Sequence, residues 1–313
     1  MNNTRYPVIT LKGIAMGAAD VVPGVSGGTI AFIAGIYEEL LQSIKSIDLT
    51  ALKMLFTGKF KAFWTKINGN FLLALILGIG ISIFSLARLM TWLLETHPIP
   101  LWSFFFGLIV ASVFLVARDV TRWTVLNMIG ALAGAVAAYL ITALSPSSTP
   151  DAWWFIILSG AIAICAMILP GISGSFILLL LGKYEFIMTA VGELNIGVIA
   201  LFAIGAIAGI ISFSHFLTWL LRHYRNMTIA VLTGFMVGSL NKIWPWKQVL
   251  ETYTDSHGVL QPFKEANVLP GTYAEMTGND PQLWQAVVFC LVGLALIAVI
   301  EGAAKRLAGA KQK

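Results

Sequence analysis

The sequence predicts an all-α integral membrane protein built as an inverted-topology repeat. Each half is a broken or re-entrant helix hairpin followed by three transmembrane helices. Composition is the first reason: 58% of the 313 residues are hydrophobic, 11% are charged, and the mean hydropathy is +0.84. Soluble domains carry about 25% charged residues. The second reason is a motif that occurs twice, Pro23-Gly24-Val25-Ser26-Gly27 and Pro170-Gly171-Ile172-Ser173-Gly174, at an offset of 147 residues. At the same offset Gly35, Tyr37 and Glu38 match Gly182, Tyr184 and Glu185. The third is that each Pro-Gly interrupts apolar sequence. Unwound backbone persists in a membrane only where protein buries it or it lines a wet cavity.

A span needs about 20 apolar residues. The segments 70–94, 101–117, 123–144, 196–221, 226–241 and 284–304 are read as spans. Two regions differ, 13–44 split at Val22-Pro23-Gly24 and 152–191 split at Leu169-Pro170-Gly171. The limb 13–22 would rise only about 15 Å as a helix, half the hydrocarbon thickness. It reads as one arm of a re-entrant hairpin or broken helix pair. Tryptophans at 64, 92, 102, 123, 153, 154, 244 and 284 sit near segment ends, where interfacial anchoring places them.

Loop charges set an orientation. Lys305, Arg306, Lys311 and Lys313 put the C-terminus in the cytoplasm, and counting back puts the loop 243–283 outside. Arg222 and Arg225 fall inside, and the stretch 145–151, without Lys or Arg, falls outside. Arg118 and Arg122 fall inside with the basic segment 45–69, whose lysines are Lys45, Lys53, Lys59, Lys61 and Lys66. The N-terminus is cytoplasmic too. The first hairpin then enters and leaves from the cytoplasm, and the second from outside.

The repeat continues beyond the hairpins. Thr91-Trp92-Leu93-Leu94 recurs as Thr218-Trp219-Leu220-Leu221, and Gly107, Val110 and Ser112 match Gly234, Val237 and Ser239, all at an offset of 127. The basic segment, absent from the second half, accounts for the change in offset. The repeats are therefore 1–151 and 152–313. Three spans per half is odd, so the second half is inverted. Such repeats with discontinuous helices are typical of secondary transporters, whose sites lie near the midplane.

The breaks suit an anion. Pro23 ends a helix, glycines free the backbone, and a new helix start exposes unpaired N–H groups and partial positive charge. Gly24, Ser26, Gly27, Gly28 and Thr29 in the first break, with Gly171, Ser173, Gly174 and Ser175 in the second, form two cradles able to share one phosphate. The plain alternative is a helix kink whose glycines permit close packing. Arg88, inside a span, is suited to phosphate but also close enough to the outer interface to snorkel there. Ionisable residues at membrane depth default to functional candidates. Asp20 either binds a coupling proton or cation or caps broken backbone. Glu38 and Glu185 carry coupling protons or serve as caps and ion-pair partners near the hairpin ends. His215 aligns with Arg88 and is either a packing residue or a protonation switch.

Other classes recede. The basic residues are scattered through short loops, so the net charge of +5 does not indicate nucleic acid. Cys165 and Cys290 lie in apolar runs, so neither a disulfide framework nor a thiolate metal site is indicated. The N-terminus lacks the features of a cleaved signal peptide. No catalytic residue, metal or cofactor is expected beyond a coupling proton or sodium ion.

The run from Lys12 through Asp20 and Pro23 to Thr29, with Gly35-Ile36-Tyr37-Glu38 after it, resembles the PopT polyprenyl-phosphate transporter family. That family was formerly catalogued as a bacterial membrane domain of unknown function. Leu169-Pro170-Gly171-Ile172-Ser173-Gly174-Ser175 is similar to it as well, and the resemblance spans essentially the whole chain. It implies a flippase that returns undecaprenyl phosphate from the outer to the inner leaflet of the bacterial cytoplasmic membrane. The partner is then the polyprenyl phosphate lipid itself. Two alternatives stand beside it: an ion-coupled transporter or channel for a small anion, and an enzyme like the membrane undecaprenyl-pyrophosphate phosphatases. Those phosphatases carry Pro-Gly-x-Ser-Arg-Ser. Here Gly27 and Gly174 occupy the Arg position, which removes a cation that phosphoryl chemistry needs.

Overall fold

The structure, a computed structural model, describes residues 5–21, 26–144, 149–254 and 260–309. Among these, the chain is nearly all helical and divides into two compact units. The first comprises Met1–Met90 with Pro146–Thr228, and the second Thr91–Ser145 with Ile229–Lys313. Each unit thus takes chain from both sequence halves.

The first unit opens with α1 (Arg5–Val21), α2 (Gly27–Ile33) and α3 (Tyr37–Lys45), followed by the short helices α4 (Leu49–Phe56) and α5 (Phe60–Lys66). Then α6 (Gly69–Thr96) begins, the first helix long and apolar enough to span. The later part repeats the opening with α9 (Trp153–Ile168), α10 (Gly174–Leu180), α11 (Tyr184–Gly192) and the spanning α12 (Ile196–His223). In place of a limb starting at residue 13, α1 starts at Arg5 and rises about 25 Å. Its polar residues have partners, which is why the helix runs through them. Arg5 pairs with Glu39, and the Lys12 ammonium donates to the Ala34 carbonyl at 2.5 Å.

Each hairpin also breaks twice rather than once. Gly35 (φ +67°) and Gly182 (φ +61°) take the left-handed conformation that glycine tolerates, and α10 turns into α11 through 110°. The repeated Gly-x-Tyr-Glu marks this second turn. Close backbone approach fixes the helix pairs. A Cβ at Gly13 would strike the Leu75 carbonyl of α6, and one at Gly205 would strike the Ile157 carbonyl of α9.

The second unit contains α7 (Pro98–Ala117), α8 (Val125–Ala143), most of α13 (Arg225–Ser239) and α15 (Leu283–Gly309). Both α7 and α8 are long and apolar enough to span. The expected span at 226–241 is a helix of 15 residues, about 22 Å, which falls short of the hydrocarbon thickness. Helix α7 packs on α15 through Gly107 and Gly293, and α8 packs on α13 through Gly134 and Gly234.

The segment 243–283 is more ordered than a loop. It holds an antiparallel hairpin, β1 (Lys247–Thr254) with β2 (Leu260–Asn267), and the helix α14 (Pro270–Thr277). Trp246 is buried with Ile99 and Ala286, against Trp244 and Tyr273. Lys242 and Lys247 both donate to Glu265, at 3.1 and 3.2 Å. Lys247 also lies over the Trp102 ring, 4.6 Å from its centroid. Burial, reinforced by Lys242 and partly offset by Glu265, pushes the Lys247 ammonium down from 10.5 to about 8. On a rise from pH 8 to 10.5 the folded hairpin gives up this proton while the unfolded strand keeps it, so stability rises across that window. Hydrogen exchange of β1 amides, corrected for intrinsic rates, should slow accordingly. In Lys247→Met that slope should disappear.

Candidate functional site

The start of α2, from Ser26 on, lies against the second Pro-Gly interruption inside the first unit. Ser26 caps α2, its Oγ accepting from the Gly28 amide at 3.0 Å. The same hydroxyl hydrogen is shared between the Met167 and Leu169 carbonyls, each 3.1 Å away at the end of α9. In return, the Gly171 amide donates to Thr29 Oγ1 at 2.9 Å. Tyr37, at the start of α3, donates its hydroxyl to the Ile168 carbonyl at 3.2 Å. Residues separated by more than 130 positions thus satisfy each other's broken backbone, which an apolar surrounding demands.

Local sequence explains the fit. Gly171 has φ +92°, which admits glycine and strains other residues. A Cβ on Gly28 would lie 2.5 Å from the Ile168 carbonyl oxygen, so the first helix start approaches the second break at backbone distance. Ser26 and Thr29 are fully buried, and Ser173 nearly so. Replacing Thr29 with valine keeps the shape but strands the buried Gly171 N–H. The expected cost is about 1–3 kcal/mol, read as a lower unfolding temperature of the detergent-solubilised protein. Thr29→Ser should recover most of it.

The other expected site residues divide. Asp20 accepts from the Gly27 amide through Oδ1 at 2.7 Å, which supports the capping alternative. Ser173 and Ser175 bond each other at 2.7 Å, and Ser175 is the more accessible. Gly174 lies against the Ala163 carbonyl of α9. Glu38 is half exposed and accepts from Arg225 at 2.6 Å, tying α3 to the start of α13. Its repeat mate Glu185 differs, because Oε1 is buried with no hydrogen-bond partner among the described residues. The Nδ1 of His215 meets the Ile211 carbonyl of its own helix at 2.9 Å. Arg88 belongs to α6, with its side chain outside the described residues, and Gly24 lies outside them altogether.

Two residues went unnoticed as site candidates. Tyr37 was legible only as half of a repeated Gly-x-Tyr-Glu. Lys183 is 1% exposed; it donates to the Thr149 carbonyl at 2.8 Å and to Asp151, and it faces the rings of Phe155 and Phe186. Thr149 in turn donates to the Leu181 carbonyl. Leu181 is the repeat mate of Ala34, the acceptor for Lys12, so a cation is built into both turns.

Residues 16–261 match the model of the VCA0040-like family, described as undecaprenyl phosphate translocase-like. The chain belongs to that family. The match contains both Pro-Gly motifs and every site residue expected from the sequence. Within the translocase-like family, the chain is 48% identical to the polyprenyl-phosphate transporter of Vibrio cholerae over 302 residues, covering 96% of this chain and 98% of the relative. It is 35% identical to a polyprenyl-phosphate transporter of Staphylococcus aureus over 255 residues, 75% of this chain and 85% of that one. No solved structure matches the chain.

Proposed function

We propose that this multi-pass membrane protein transports polyprenyl phosphate, specifically undecaprenyl phosphate, returning its head group from the outer to the inner leaflet of a bacterial cytoplasmic membrane. The two curated relatives named above support the substrate class. The observation that carries the mechanism is the mutual bonding of two interruptions within the first unit. In this arrangement the Ser26 and Thr29 hydroxyls close the breaks on each other. Parting them frees two hydroxyls and the Gly171 amide, beside Ser173, Gly174 and Ser175, to take a phosphate. The exchanged hydrogen bonds are worth about 1 kcal/mol each, so opening is thermally accessible while the tail stays in lipid. Arg88 completes the cradle by charge.

The inverted repeat, 1–151 against 152–313, is part of the same reading. Helix pairing supports it: α1 with α6 has its counterpart in α9 with α12, and α7 with α15 has its counterpart in α13 with α8. Exchanging the halves maps each pairing onto another. Rocking of one repeat would expose the site to each leaflet in turn. In this reading both termini lie in the cytoplasm, and Glu185, with Asp20 as second candidate, takes the coupling proton or sodium ion. Glu38, already paired with Arg225, acts as a clamp.

Transport, not hydrolysis, is the activity. Liposomes holding the purified protein should move a labelled polyprenyl phosphate between leaflets without releasing phosphate from the pyrophosphate. Ser26→Ala with Ser173→Ala, and separately Arg88→Ala, should slow that movement in inserted, folded protein. Wild-type rates in these variants would remove the site from the breaks. Phosphate release would point to the enzyme, and uptake of a soluble anion without lipid movement to the small-anion carrier.

A further inference from the structure

The first sequence half contains a segment with no counterpart in the second, the paired helices α4 and α5. They are 8 and 7 residues long, about 12 and 10 Å, and so cannot cross a bilayer. The pair is a built element. Asp48 caps α4 by accepting from the Ala51 amide at 2.8 Å, and it holds the Lys66 ammonium of α5 at 2.9 Å. Gly58 makes the turn between them at φ +73°.

Their exposed faces are apolar. Leu49, Leu52 and Phe56 fall within an arc of about 60° on α4, opposite the buried Ala51. Leu49 and Phe56 are 85% and 84% exposed, and Phe60 and Trp64 continue the surface on α5 at helical spacing. Lysines border it. Of the five in the segment, Lys66 has a carboxylate partner, and among the described residues Lys45, Lys53, Lys59 and Lys61 have none. Apolar side chains flanked by unpaired cations are the mark of a helix lying in an anionic interface. The height is fixed as well. Trp64 Nε1 donates to Asn70 Oδ1 at 2.8 Å, and its ring covers Gly69, so it is locked to the first turn of spanning helix α6.

We infer that the exposed apolar face formed by Leu49, Leu52, Phe56, Phe60 and Trp64, with its bordering lysines, is a docking site for the anionic phospholipid surface of the leaflet it adjoins. The apolar side chains enter the acyl boundary and the lysines meet head-group phosphates. Docking holds α3, which follows α2 and carries Tyr37 to the second break, at a set depth.

Spin labels placed by Leu52→Cys, Phe60→Cys, Thr50→Cys and Lys61→Cys, in a Cys165→Ala, Cys290→Ala background, test this in vesicles. In phosphatidylcholine mixed with phosphatidylglycerol, oxygen should relax labels at 52 and 60 more than a water-soluble nickel chelate does, with the reverse at 50 and 61. In pure phosphatidylcholine, or after Lys53→Gln with Lys59→Gln, the docked population should fall by about fivefold per charge lost. Equal chelate access at 52 and 50 in anionic vesicles would overturn the proposal. So would a contrast indifferent to lipid charge and to the lysines. Dipolar broadening at position 60 that vanishes on dilution with unlabelled protein would assign the face to a second copy instead.

Discussion

Replacing Gly28 with alanine is expected to lower the thermal stability of the protein by about 1–3 kcal/mol or more and to abolish polyprenyl phosphate movement in liposomes. The added methyl would lie 2.5 Å from the Ile168 carbonyl oxygen and 2.9 Å from that of Met167. Both obstacles are backbone at the end of α9, so neither moves without displacing the second break. Separation of the breaks would in turn strain the Ser26, Thr29 and Tyr37 bonds together. Gly27→Ala provides an internal comparison. Its methyl would meet the Asp20 carboxylate, a side-chain end that can turn aside, so the loss there should be smaller. The measurement is thermal unfolding in detergent alongside a leaflet-exchange assay. Wild-type stability and rate in Gly28→Ala would mean that the two breaks do not bear on each other in the working protein.

Glu185→Gln should do the opposite to stability while also impairing transport. A buried carboxylate oxygen without a partner is costly, about 1–3 kcal/mol and more when charged, so the neutral amide should raise the unfolding temperature. If Glu185 carries the coupling ion, the same change removes the response of transport to pH and sodium and slows it by about tenfold, equivalent to about 1.4 kcal/mol in the barrier. Glu38→Gln, which breaks an exposed pair with Arg225, should leave that response intact and cost under about 1 kcal/mol. A stabilised Glu185→Gln that transports with an unchanged pH profile would remove it from coupling.

Much of this arrangement is legible in the residues. Pro-Gly within apolar sequence announces a broken helix, and the duplication of Pro-Gly-x-Ser-Gly points to the two segments that bond each other. Of the six spans read from apolar length, four are helices long and apolar enough to cross a membrane among the described residues. What the sequence concealed were long-range partners. Lys12 reads as the edge of an apolar segment because nothing local indicates that it reaches Ala34. Ser26 and Thr29 read as free donors because their acceptors lie in the other hairpin. The hairpin of β1 and β2 was hidden in a polar stretch with Pro262 inside a strand, a residue that usually argues against one. Likewise, the division between Glu38 and Glu185 depends on Arg225, which no spacing rule connects to residue 38.

The pairing of distant breaks has a consequence for biogenesis. Ser26 finds its acceptors 141 and 143 residues further along, so the first hairpin leaves the ribosome with its interruption unanswered. Non-local pairing of this kind delays folding until the later chain arrives. Neither sequence half contains a complete compact unit. A nascent first half must therefore wait in the insertion machinery or beside water, and halves synthesised as separate polypeptides must meet before either one matures.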